Sequence, residues 1–135
     1  MDEKLNEEFQ HIKFSPEVVQ MFEAILKRDD VHRQILKFIA RKRQEKENVS
    51  ILQLIENIKT NRRVKILNKK GFHYEQQETL IDRKSAERIV DKLASMSLIH
   101  YKYMTPYKLL YLTHRGLQLL QVLEQNQQIL EEEGE

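Results

Sequence analysis

The stretch from Leu80 to Gly116, LIDRKSAERIVDKLASMSLIHYKYMTPYKLLYLTHRG, constrains the fold of this chain more than any other. Asp82 can take up the free backbone N–H groups of a first helical turn, which sets a helix start. Ala86, Ile89, Val90 and Leu93 then recur at the three- and four-residue steps of one helix face. Arg83, Lys84, Ser85, Glu87, Arg88, Asp91 and Lys92 are left facing outward. Leu98-Ile99 returns the chain to a core. Ile99–Met104 and Tyr107–Leu112 are apolar and aromatic runs split by Thr105-Pro106. Proline cannot donate to a β-ladder, so it marks the bend of a hairpin.

A helix with a basic outward face followed by a short hairpin is the layout of a winged helix-turn-helix, in which the helix enters a major groove. DRKSAERIVDKLASMSLI resembles the recognition helix of MarR-type winged-helix regulators, and LTHRG resembles their strand-to-helix LTxxG junction. The likeness is local, strongest over Asp82–Ser97 and Leu112–Gly116. The expected fold is mainly α with a small β-hairpin, a winged helix-turn-helix with extra N- and C-terminal helices. The resemblance implies a sequence-specific transcriptional regulator that binds double-stranded DNA, with residues 82–96 as its recognition helix. The sequence also departs from the family. Ser97 stands where a glycine is usual, so the turn into Leu98-Ile99 must close differently. The acidic-arginine motif of the MarR wing tip is absent, which leaves phosphate contact as the most the wing can offer.

Composition agrees with a single helix-rich domain: 40% of residues are apolar, 33% charged, with three Gly and two Pro. There is no Cys, so neither a disulfide framework nor a thiolate metal site is available. The five histidines at 11, 32, 73, 100 and 114 lack ligand spacing, and no Gly-rich phosphate loop, nucleophile elbow or HExxH helix appears. The chain therefore reads as a non-enzyme without cofactor. With no apolar run long enough to span a bilayer and no signal-peptide pattern, the expected location is the cytoplasm.

The net charge of +2 conceals an asymmetry. Asp2, Glu3, Glu7 and Glu8 against Lys4 give −3, and Glu131, Glu132, Glu133 and Glu135 give −4, leaving +9 on residues 9–130. A basic body between acidic ends suits attraction to phosphate, although acidic ends also serve solubility. The organisation expected is an acidic arm at 1–14, one domain at 15–130 and an acidic tail at 131–135.

Ser15-Pro16-Glu17 starts a helix with the stripe Val18, Val19, Phe22, Ile25 and Leu26. Asp29-Asp30 starts a second, ending in Arg41-Lys42-Arg43, which suits a helix C-terminus. Ile51, Leu54, Ile55 and Ile58 outline a third. A final helix, capped by Thr113, carries more apolar residues than one narrow stripe needs. The terminal helices are thus candidates for a homodimer contact through Val18, Phe22, Ile25, Leu120, Leu123 and Leu130. Such a pair would place two recognition helices about one DNA turn apart. The alternative is that these helices pack only on their own domain.

Between the third helix and the recognition helix, the family has a turn of a few residues; here Asn61–Leu80 intervenes. Lys59, Arg62, Arg63, Lys65, Lys69 and Lys70 fall with no acidic residue among them. Either the third helix runs on to about Asn68 and stops at Gly71, or residues 63–67 form a short strand or loop. In both cases the insert is a candidate phosphate-contacting element, against a plain solvated connection.

On the recognition helix, Lys84, Ser85 and Arg88 are the candidate base readers and Arg83 and Lys92 the candidate phosphate clamps. Lys102 and Lys108 stand near the hairpin bend, and Arg62, Arg63, Lys65, Lys69 and Lys70 complete the basic set. The rival reading is a winged helix used for protein contact in a replication or transcription complex. A further one is a regulator responding to a small-molecule effector, for which no residue identifies a ligand.

Overall fold

The computed structural model describes residues 8, 9 and 11–133, with side chains as far as residue 125. The acidic residues expected at 1–7, and the side chains of 131–135, lie outside the described residues. The chain runs through Pro16–Leu26 (α1), Asp30–Gln44 (α2), Val49–Ser50 (β1), Ile51–Asn57 (α3), Lys59–Asn68 (β2) and Gly71–Leu80 (β3). It continues through Arg83–Ser95 (α4), Ile99–Met104 (β4), Tyr107–Leu112 (β5) and His114–Glu133 (α5). One antiparallel sheet has the order β1–β5–β4; β2 and β3 form a second by themselves.

The expectation of a mainly α winged helix-turn-helix with a small hairpin is overturned. Five strands in two antiparallel sheets accompany five helices between Pro16 and Glu133, and the architecture is mixed α/β. Two local features cause the difference. β1 adds a third strand by pairing Val49 with Leu110 and Ser50 with Leu109. Residues 59–80 pair without interruption from Lys59↔Leu80 to Asn68↔Gly71. The third helix therefore does not run on to Asn68. It ends at Asn57, and Ile58 is already extended.

Local capping explains most helix starts. The Ser15 hydroxyl accepts from the Val18 N–H at 3.4 Å, with Pro16 in the first turn where its missing N–H costs nothing. The Ser50 N–H donates to the Gln53 side chain at 2.9 Å at the start of α3. Asp82 accepts from the Ser85 N–H at 3.1 Å at the start of α4. Beneath these helices lies one core, in which Leu36, Leu54, Val90, Leu93, Ile99, Leu110 and Leu119 are buried. α3 packs on α4, and α1 and α2 pack on α5. Among the described residues no helix is long and apolar enough to cross a membrane.

The LTHRG junction closes the turn that follows α4. The Thr113 N–H donates to the Leu98 carbonyl at 3.1 Å, and its hydroxyl lies 2.7 Å from the Ser97 carbonyl and 3.1 Å from that of Leu98. The same hydroxyl accepts the Gly116 N–H at 2.9 Å, capping α5. Gly116 is obligatory because the backbones nearly touch: a Cβ there would sit 2.1 Å from the Leu98 oxygen. Ser97 takes φ +61, the left-handed conformation that a glycine would adopt more easily. Arg115, also buried, donates to the carbonyls of Phe9, Ile12 and Ser97, tying Phe9 and Ile12 to the junction. Gln118 reinforces this by exchanging two hydrogen bonds with the Phe14 backbone.

Candidate nucleic-acid interface

The interface candidate has two parts, the solvent face of α4 and the β2–β3 ribbon that springs from its N-terminal end. The ribbon is anchored at its base by the buried pair Ile58 and Ile81, whose backbones bond at 2.8 Å. Beyond that pair it stands free of the core, with every residue from Leu67 to Glu78 exposed. An isolated two-stranded ribbon is only marginally stable, so side-chain contacts at its base matter. Arg62 forms an ion pair with Asp82, the α4 cap, and so ties ribbon to helix. Hydrogen bonds from the Ser85 side chain and backbone hold the Asp82 carboxyl below its usual range, with a smaller contribution from Arg62.

Strand pairing sorts the ribbon residues onto two faces, because directly opposed residues share a side. One face brings Arg63, Lys65 and Leu67 together with Phe72, Tyr74 and Gln76; the other holds Arg62, Val64 and Ile66 with His73 and Glu75. On the first face the Arg63 guanidinium lies 4.1 Å from the centre of the Tyr74 ring, and the Lys65 ammonium 4.2 Å from that of Phe72. The carboxylate of that face, Glu78, stands at the base, 3.7 Å from Lys59. At the tip, the Asn68 side chain accepts from the Lys70 N–H at 3.0 Å and Gly71 takes φ +129, which turns the chain and leaves Lys69 and Lys70 exposed.

The sequence-derived candidates divide accordingly. Lys84 and Arg88 project from α4 one turn apart, exposed and without an ion pair among the described residues. Ser85 is half-buried and committed to the Asp82 cap. Arg83, expected as a phosphate clamp, pairs with Glu87 at 3.2 Å. Lys92, the other expected clamp, lies 3.7 Å from Asp29 and so braces α4 against the start of α2. Lys108 is held 3.6 Å from Asp91 and 3.9 Å from the centre of the Tyr101 ring. Lys102 is half-buried beside His100 and Asn48 in a cleft lined also by Tyr111. These hairpin lysines are thus less available than Lys84, Arg88, Lys69 and Lys70.

Sequence reasoning missed Arg115, His32 and the aromatic pairing of the ribbon. His32 is buried at the start of α2, and its Nε2 has no hydrogen-bond partner among the described residues. Burial, then the nearby Lys92, lowers its pKa against the opposing pull of Asp29. Of the expected dimer residues, Leu120 and Leu123 are buried in the chain's own core, while Val18 and Phe22 are half-buried, Phe22 against Phe14 with ring centres 5.0 Å apart. Ile25 stays exposed beside Met21 on α1. Leu130 lies outside the described side chains.

No protein-family model and no curated protein matches the chain. Among solved structures it is similar to the crystal structure of AF1382 from Archaeoglobus fulgidus, with 14% identity and a TM-score of 0.57. The similarity covers 76% of this chain and 90% of that one. The likeness is one of fold.

Proposed function

We propose that this chain is a cytoplasmic, sequence-specific binder of double-stranded DNA, acting as a transcriptional regulator of the kind its MarR-like motifs imply. One observation carries the reading: Lys84 and Arg88, exposed and without an ion pair among the described residues, stand on the helix whose capping residue, Asp82, is tied to the cationic ribbon by Arg62. In this reading α4 lies in the major groove. Arg88 makes a bidentate contact to guanine, and Lys84 contacts a base edge or the backbone beside it. Lys69 and Lys70 neutralise phosphates away from the base contacts and supply the sequence-independent part of the affinity. A homodimer through α1 belongs to the same proposal, supported by the exposed apolar pair Met21 and Ile25.

The test is binding to random duplex DNA over a salt series, with the oligomeric state measured alongside. Affinity at micromolar or better in low salt, falling steeply as salt rises, supports the reading because counterion release scales with the phosphates contacted. Selection of a preferred palindromic site then supports the dimer. Absence of binding at low salt refutes the reading and turns attention to a protein partner.

A further inference from the structure

The ribbon tip combines two features that a phosphate-contacting arm does not need together. Leu67 and Phe72, directly opposed in the ladder, are 77% and 58% exposed. They stand beyond the core, where burial in the chain's own fold gives them nothing. Around them are Lys65, against the Phe72 ring, and Lys69 and Lys70 in the turn. Cations gain from phosphate, whereas an apolar pair gains only from a surface that removes it from water. A nucleic-acid groove offers both within one contact: phosphates on its walls, and sugar and base faces on its floor.

We propose that the β2–β3 tip acts as an apolar wedge that enters the minor groove of duplex DNA and kinks it, a role that rests on the DNA-binding reading above. Ten residues per strand give the ribbon a length of roughly 30 Å, enough to reach past the groove occupied by α4 to its neighbour. There Leu67 and Phe72 part a base step from the minor-groove side, and Lys65, Lys69 and Lys70 hold the flanking phosphates. Insertion of such side chains bends DNA by roughly 20–90°. Charge complementarity selects the occupant, since the distal part of this face holds Arg63 and Lys65 with no carboxylate. The anchoring of the ribbon to α4 through Arg62 and Asp82 favours a duplex over a single strand.

The experiment uses the full chain and a duplex labelled at its two ends for energy transfer, with 2-aminopurine placed through the sequence to report unstacking. The wild-type protein at saturation is expected to raise transfer efficiency and brighten 2-aminopurine at a fixed step. The L67S/F72S double variant is expected to saturate the same duplex, within about tenfold of wild-type affinity, with transfer left at the free-DNA value. Both positions are solvent-exposed, so folding is checked by the urea midpoint, and F72L, which keeps an apolar wedge, is expected to restore part of the bend. Saturation by the wild type without bending overturns the wedge while leaving DNA binding intact. Equal bending by the double variant overturns it too, as does tighter Phe72-dependent binding to a single strand than to a duplex. A DNA-free dimer abolished by L67S/F72S assigns the tip to a second copy and likewise overturns it. No binding to duplex at low salt removes the DNA-binding reading itself, and the wedge with it.

Discussion

Replacing Gly116 by Ala tests whether the junction after α4 is set by backbone proximity. Within a helix this substitution ordinarily stabilises, by up to about 1 kcal/mol. Here the added Cβ would stand 2.1 Å from the Leu98 oxygen and 3.0 Å from its carbonyl carbon. Ordinary C···O approach is about 3.3 Å or more, so α5 and the 97–98 turn must separate by roughly 1 Å. That movement stretches the Thr113 N–H bond to Leu98 and the Thr113 hydroxyl bond to Ser97, each worth about 1 kcal/mol net. With overpacking of about 1–3 kcal/mol and the propensity gain opposing, the expected net loss is about 2–4 kcal/mol. Urea unfolding followed by far-UV circular dichroism reads this as a midpoint about 1–2 M lower. A G116A variant as stable as wild type, or more so, would refute the claim that close backbone approach dictates glycine here.

Three further outcomes are expected. R88A weakens the preferred DNA site by about 1–3 kcal/mol and relaxes selectivity at one base pair, whereas K69A weakens all sequences alike and lowers the salt slope by about 1; competition binding at several salt concentrations separates them. D82A, which removes the α4 cap as well as the ion pair, lowers the thermal midpoint more than R62A, which removes only a half-exposed pair; equal midpoints would take the cap role from Asp82. His32 and His114 are both held below the ordinary pKa of 6.5, chiefly by desolvation. The unfolded chain therefore takes up protons first as the pH falls. Stability is full above pH 6.5 and declines as the pH drops below it, so urea midpoints from pH 8 to pH 5 should decrease, and less so in H32Q. A flat profile would contradict the burial of His32.

Much of the helical scaffold was legible because its signals are local. Ser15-Pro16 and Asp82 cap helices through side chains within three residues of the groups they satisfy, and Ala86, Val90 and Leu93 point inward because helical periodicity puts them on one side. The hairpin Ile99–Met104 and Tyr107–Leu112 was equally plain from its apolar runs and its proline bend. The candidate interface was only partly legible. Lys92 and Lys108 read as free cations in the sequence, whereas the fold sets Asp29 and Asp91 beside them. Arg83–Glu87 is a helical four-residue step that the sequence does suggest; Lys92–Asp29 spans two elements and needs the fold.

The sequence by itself determined where α1, α2, α4 and the β4–β5 hairpin lie, and that a basic insert separates α3 from α4. Tertiary structure decided what that insert is. Residues 59–80 have no core of their own to impose alternation, so their sequence suits a helix, a loop or a strand about equally well. The buried Ile58–Ile81 pair brings the two ends of the segment together, and pairing across the ladder then makes strand the way to satisfy its backbone. Only that register puts Arg63 over Tyr74, Lys65 over Phe72 and Leu67 opposite Phe72, because contact between residues so far apart along the chain is set by the ladder and not by local spacing.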